Sequence, residues 1–212
     1  CSTGQNPEPA VEKKDGLSIA LLGQPNTGKS TIFNKLTGEN QHVGNWPGKT
    51  VEKKQGFFSK NNRQCYVYDL PGTYSLTANS LEEVIARDFI IRQAPDLVAV
   101  VVDSAQLKRS LYMLAEAVLL GVPVLAILNK IDMVDPAAAK GLPQKIYELT
   151  NVPAVAVSAV DKSYIDPLIT AVFDAADQKQ LPKSKPDAAE HFGPVFDRLH
   201  ALIKNSCPQG YH

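Results

Sequence analysis

The sequence predicts an α/β domain: a mostly parallel sheet of six strands with helices on both faces, followed by a short C-terminal helical extension. Three observations carry this. Apolar runs of strand length alternate with longer amphipathic stretches, the pattern of parallel strands joined by crossover helices. A glycine-rich turn, Gly23-Gln24-Pro25-Asn26-Thr27-Gly28-Lys29-Ser30, stands between the first such run and the first helical stretch. The 212 residues, 44% hydrophobic and 21% charged, are enough for one domain with a full core and a short appendage.

Residues 1–15 are polar and proline-containing, a flexible lead-in by composition. The domain itself is expected over 16–180. Residues 17–22 predict a buried strand, and 29–37 a helix that leaves the glycine-rich turn. Residues 39–50 have a loop composition, with Gly44, Asn45, Pro47 and Gly48 close together. Residues 51–59 and 64–69 predict an antiparallel pair joined by the polar turn Lys60-Asn61-Asn62. A helix over 81–92, a central strand over 97–102 and a helix over 107–120, stopped by Gly121, follow. Then come a buried strand over 122–128, a helix over 136–150, a strand over 154–157 and a last helix over 165–179.

Residues 181–212 begin with Leu181-Pro182-Lys183-Ser184-Lys185-Pro186, a linker by composition. Beyond it Phe192, Val195, Phe196, Leu199, Leu202 and Ile203 recur at helical spacing. One such helix cannot bury its stripe alone, so the segment is expected to be the start of a truncated helical domain. The chain begins with Cys1, not Met, and has no apolar signal segment, so it is taken as a fragment.

Composition excludes some functions. With 22 basic and 22 acidic residues the formal charge is zero, which argues against a surface built to hold nucleic acid. Cys1, Cys65 and Cys207 have no metal-ligand spacing, and Cys65, in an apolar run, predicts a buried inert thiol. No apolar run reaches the roughly 18 residues that a membrane span needs.

The glycine-rich turn matches the phosphate-binding pattern G-x-x-x-x-G-K-[ST]. Glycines let backbone N–H groups converge on phosphate oxygens, and the helix behind adds its positive end. Gly23, Gln24, Pro25, Asn26, Thr27, Gly28, Lys29, Ser30 and Thr31 would then line the phosphates. Lys29 would reach the β- and γ-phosphates, and the Ser30 hydroxyl would ligate Mg²⁺. Asp69-Leu70-Pro71-Gly72 ends a strand about forty residues on. Asp69 would hold the magnesium shell through a water, and Gly72 would turn its N–H to the γ-phosphate.

Asn129-Lys130-Ile131-Asp132 also ends a strand. The Asp132 carboxylate can accept from guanine N1 and N2 together, donors that adenine lacks, so the motif predicts guanine specificity. Ser158-Ala159-Val160 follows the last strand, where a backbone N–H could meet guanine O6. These residues predict GTP and GDP as ligands. No Arg occurs between Gly23 and Asn62, so neither the phosphate loop nor residues 39–50 can supply an arginine finger. A potassium ion could take that place, with the Asn26 side-chain carbonyl and backbone carbonyls of residues 44–46 as ligands. Thr73 stands where many GTPases place a water-orienting Gln, which predicts slow hydrolysis.

These motifs, in this order, resemble the translation-factor-related class of small GTPases and so imply the P-loop GTPase fold. Val43-Gly44-Asn45-Trp46-Pro47-Gly48, then Thr50-Val51-Glu52-Lys53-Lys54, then Asp69-Leu70-Pro71-Gly72-Thr73-Tyr74-Ser75-Leu76 resemble the FeoB family of bacterial ferrous-iron transporters, over residues 17–179. The resemblance implies a cytosolic N-terminal G domain at the cytoplasmic face of the inner membrane. It would couple nucleotide state to Fe(II) uptake through a membrane transport domain of the same parent chain, with room for a small FeoA-like partner. Thr50 would be the first-switch magnesium ligand and catalytic with Lys29, Gly72 and Asn26; residues 70–80 would be the second switch. Potassium-activated members carry Asn at the position of Asn26. Lys49 replaces an uncharged residue of the family, and Lys130 stands where many members have Met.

A soluble ribosome- or tRNA-associated GTPase shares the general motifs but predicts a basic appendage that this chain lacks. A nucleotide sensor that scarcely turns GTP over is a third reading. Trp46, the only tryptophan, is expected to be partly exposed in its loop, and His42 to be solvated and not an iron ligand. No direct iron binding is expected in this domain.

Overall fold

The computed structural model describes residues 16–178, and the expectations for 1–15 and 181–212 fall outside them. One sheet organises the chain. Its strands are β1 (Leu17–Gly23), β2 (Gln41–Asn45), β3 (Glu52–Lys60), β4 (Arg63–Asp69), β5 (Leu97–Asp103), β6 (Val124–Asn129) and β7 (Ala154–Ala156). The helices are α1 (Lys29–Thr37), α2 (Leu81–Gln93), α3 (Leu107–Leu119), α4 (Pro136–Ala139), α5 (Leu142–Thr150) and α6 (Ile165–Gln178). The sheet order is β2-β3-β4-β1-β5-β6-β7. β1 pairs in parallel with β4 and β5, as β6 does with β5 and β7, while β3 runs antiparallel to β2 and β4.

Alternate residues of the central strands feed two cores, one on each face of the sheet. Ile19 and Leu21 of β1, with Leu97, Ala99 and Val101 of β5, pack under Ile32, Phe33 and Leu36 of α1 and Leu168, Val172 and Phe173 of α6. Ala20 and Leu22, with Val98, Val100 and Val102, pack under Ile85, Phe89 and Ile90 of α2 and Leu111, Leu114 and Val118 of α3. Each fully buried aliphatic side chain of this kind contributes about 1.5–3 kcal/mol. β5 is buried along its whole length, which is why its sequence reads as an unbroken apolar run up to Asp103.

The sheet has seven strands where the sequence predicts six. The extra one, β2, lies inside the predicted loop 39–50. All five of its residues are exposed, so no apolar alternation marks it. Backbone pairing with β3, from Gln41 opposite Gly56 to Asn45 opposite Glu52, makes it a strand. The predicted helix over 136–150 is also corrected, into α4 and α5. Gly141 at φ +91° caps α5, and Pro143 in its first turn has no N–H with which to continue α4. The β3–β4 turn falls where predicted, with Asn61 and Asn62 both left-handed at φ +51° and +60°.

Trp46 contradicts its expected exposure. It is 7% exposed and lies edge-on to Phe89 of α2, centroids 5.5 Å apart, with the Lys53 ammonium 5.2 Å from its ring. A loop that presents an indole to an apolar helix face buries it whatever the polarity of its neighbours. His42 is exposed, as expected.

Candidate functional site

The loops after β1, β4, β6 and β7 leave the carboxyl ends of parallel strands. Ligands of open α/β sheets bind there, above all where neighbouring strands send their connections to opposite faces. β1 is such a point, because α1 covers one face while α2 and α3 cover the other.

The loop after β1 is a close-fitting turn. The Thr27 hydroxyl and amide both donate to the Gln24 carbonyl, at 2.9 and 3.4 Å. Asn26 is left-handed at φ +66°, a conformation that Asn tolerates, and its side chain is exposed. Gly28 (φ +90°) caps α1, and its carbonyl accepts the first helical bond, from Ile32 at 3.0 Å. Lys29 is buried at the start of α1, while Ser30 and Thr31 present exposed side chains beside it. The free amides of this first turn make a cradle for an anion.

The β4 end meets this cradle. Asp69 is buried and its carboxylate pairs with the Lys29 ammonium. The Leu70 amide donates to Leu21 at 3.1 Å, carrying the β1–β4 ladder one residue further, and the Thr73 amide donates to Gly23 at 3.3 Å. Gly72 lies against Pro25: a Cβ there would be 3.5 Å from the Pro25 Cα. The Thr73 hydroxyl is buried with no partner among the described residues. Thr50 is exposed and its side chain makes no hydrogen bond among the described residues, so it is not brought to the cradle in this structure.

Asn129, 1% exposed, ties the other loops to the first. Its Nδ2 donates to the Thr27 carbonyl at 2.8 Å, and its Oδ1 accepts the Ala159 amide at 3.0 Å. The amide of Ala159 is therefore engaged by protein, and Val160, with an exposed side chain, follows it. The Ser158 hydroxyl is buried with no partner among the described residues. Lys130, left-handed at φ +60°, spans to the first loop: its ammonium donates to the Asn26 carbonyl at 2.9 Å and pairs with Asp103 Oδ2 at 2.6 Å. Asp132 is exposed, its carboxylate making no hydrogen bond among the described residues.

Asp103 joins these residues, although no motif in the sequence marks it. It is 4% exposed, and its second oxygen accepts the Ala105 amide at 3.0 Å. An Asp that ends an all-apolar strand at the carboxyl edge of the sheet is the signal that could have found it. Together these loops gather an anion cradle and a buried Lys–Asp pair at the carboxyl edge of the sheet. The exposed Asp132 carboxylate follows the end of β6, where the Ile131 amide donates to Val157 at 3.2 Å.

A family model described as ferrous iron transport protein B matches residues 17–172. The chain belongs to that family. A curated relative, the Fe(2+) transporter FeoB of Methanocaldococcus jannaschii, is 59% identical over 103 residues, which cover 49% of this chain and 15% of that protein. The chain therefore spans a small part of the length of such FeoB relatives. The solved G domain of the T. maritima FeoB iron transporter is 38% identical, with a TM-score of 0.69 over 76% of this chain and 98% of that one. The cytosolic domain of the same transporter in its GMPPNP form is 33% identical, with a TM-score of 0.74 over 91% of this chain and 76% of that one. The fold described above is thus that of FeoB G domains. Among the described residues no helix is long and apolar enough to cross a membrane, and no three His, Cys, Asp or Glu side chains form a metal-holding group.

Proposed function

We propose that this chain binds GTP with Mg²⁺ and hydrolyses it to GDP and phosphate, slowly on its own and faster in potassium. The observation that carries the proposal is the double bond set of Asn129, which fixes the phosphate-type loop and the Ser158–Val160 loop at one spacing. The GMPPNP form of the similar T. maritima domain supports the nucleotide class.

In this reading the amides of Gly28, Lys29 and Ser30 and the Lys29 ammonium hold the β- and γ-phosphates. The residues fit magnesium: the Ser30 hydroxyl is exposed beside the Lys29–Asp69 pair, and the buried Asp69 carboxylate faces the same cradle. Ser30 and, on closure of the first switch, Thr50 would hold the ion directly, with Asp69 through a water. The bound ion would neutralise charge on the phosphate oxygens. Gly72 offers its N–H to the γ-phosphate. Water attacks the γ-phosphorus, the bond to the β–γ bridging oxygen breaks, and the oxygen leaves on GDP. Asp132 accepts from guanine N1 and N2, Lys130 lies along the base, and Ala159 and Val160 border its O6 edge.

Asn26 is the potassium ligand. Its exposed side chain is free of protein partners among the described residues, while Lys130 grips its backbone carbonyl. In the parent protein the nucleotide state would govern Fe(II) uptake through a membrane domain, from the cytoplasmic face of the inner membrane, with a small FeoA-like protein as a candidate partner. The G domain is proposed to occupy residues 16–180. The test compares GTP turnover in potassium and sodium chloride at equal ionic strength, for wild type and Asn26→Ala. Faster turnover in potassium, lost in Asn26→Ala, is expected. Absence of GTP turnover in either salt would refute the enzymatic reading, and equal rates in both would refute the potassium site.

A further inference from the structure

One carboxylate away from the anion cradle holds the second-switch segment by two bonds. Glu116, in the last turn of α3, accepts from the Ser75 hydroxyl at Oε1 and from the Leu76 amide at Oε2, both at 2.8 Å. Hydrogen bonds to an ionised acceptor are the stronger kind. The Ser75 oxygen accepts in turn from the Thr77 amide at 3.1 Å. Seven residues earlier, two turns along the same helix, the Arg109 guanidinium lies 4.5 Å from the Tyr74 ring centroid. The Arg109 carbonyl accepts from Gln24 Nε2 at 2.9 Å, so α3 also touches the phosphate loop. Leu76 is buried in the core shared with Trp46 and Phe89.

The segment is therefore fixed residue by residue. Thr73 is held by Gly23, and Tyr74, Ser75 and Leu76 are held by α3. Among the described residues, Gly72 has only its packing on Pro25. Where the Gly72 and Thr73 amides stand relative to the phosphate loop is set by the bonds on either side of them.

We propose that Glu116 is a positioning residue for GTP hydrolysis, holding the second switch so that the Gly72 and Thr73 backbone meets the γ-phosphate and its attacking water. This rests on the function proposed above. Phosphoryl transfer depends on placement, so a loosened segment costs rate. Binding of GDP, which makes no γ-phosphate contact, is spared.

The test uses the full chain and two variants. Glu116→Ala removes both acceptors. Glu116→Gln keeps one for the Leu76 amide, and its NH₂ can donate to the Ser75 hydroxyl, which rotates to accept. Glu116→Ala should lower kcat for GTP by roughly ten- to a hundred-fold, the scale of a misplacement near 1 Å, with GDP affinity unchanged. Glu116→Gln should restore most of the rate. Hydrogen exchange at the Leu76 amide should quicken in Glu116→Ala and not in Glu116→Gln. Wild-type kcat in Glu116→Ala would overturn the proposal, as would a fall in GDP affinity matching the fall in kcat, or a Gln variant as slow as Ala. A wild type that binds GDP but never turns over GTP would defeat the reading of function instead. Leu76 exchange then judges Glu116 alone, and equal exchange in wild type and Glu116→Ala would overturn its hold on the segment.

Discussion

A Cβ on Gly28 would stand 2.2 Å from the Nδ2 of Asn129. The loop after β1 and the end of β6 thus touch at a point that admits no side chain. Asn129 cannot easily step aside, because its amide is buried and bonded to Thr27 on one side and Ala159 on the other.

Gly28→Ala tests this contact. The left-handed backbone alone costs a non-glycine residue about 1–2 kcal/mol, and displacing Asn129 breaks two buried hydrogen bonds. A lower thermal midpoint and a loss of GDP affinity of tenfold or more are expected, the latter from about 1.4 kcal/mol or more of lost binding energy. Calorimetry and fluorescent-GDP titration measure both. Unchanged GDP affinity would show that the two loops need not be joined here.

Thr50 should matter in the GTP state alone. It is exposed, outside the cradle, and would reach magnesium only when the γ-phosphate draws its loop inward. Thr50→Ala should slow hydrolysis strongly while GDP titrates as in wild type. A matching loss of GDP affinity would contradict this role.

The buried, unpartnered Thr73 hydroxyl makes an isosteric test possible. A buried hydroxyl without a partner costs about 1–3 kcal/mol, so Thr73→Val should raise the thermal midpoint of the nucleotide-free protein. If backbone groups orient the attacking water, Thr73→Val keeps most of its GTP turnover. A destabilised variant would mean that the hydroxyl has a partner in solution.

Burial pushes the Cys65 thiol far up from its ordinary range. The reactive form is the thiolate, so native Cys65 should resist alkylation at pH 8 in a Cys1→Ser, Cys207→Ser background. It should react once urea unfolds the chain. Rapid labelling of the folded protein would contradict the packing of β4 beneath α1 and α6.

The sequence made the chemistry legible where residue type and spacing act locally. A turn that bares its amides needs Gly23 and Gly28, and the guanine selection proposed above would need a carboxylate at Asp132, so both are visible as strings. The alternation of β1 and β5 with helices was visible for the same reason, since a strand covered on both faces is apolar throughout. What stayed hidden depends on partners distant in sequence. β2 is a strand because β3 lies beside it, not because of its own side chains. Trp46 is buried because Phe89 of α2 meets it, and Asp103 joins these loops because Lys130 reaches it. Glu116 looks like any polar position on an amphipathic helix until Ser75 and Leu76 are placed against it.

Guanine selection by Asp132 is the claim on which the whole account turns, and Asp132→Asn tests it most directly. The substitution puts an amide donor before the guanine N–H groups in place of an acceptor, a mismatch that leaves polar groups unpaired. Competition of GDP, ADP and XDP against a fluorescent guanine nucleotide on wild type, and direct calorimetric titration of the variant, measure the outcome. Wild type should prefer GDP to ADP by at least about a thousandfold, and Asp132→Asn should lose GDP affinity steeply while gaining affinity for XDP, which offers an acceptor there. A wild type that binds ADP as tightly as GDP, or an Asp132→Asn variant with unchanged GDP affinity, would contradict the account.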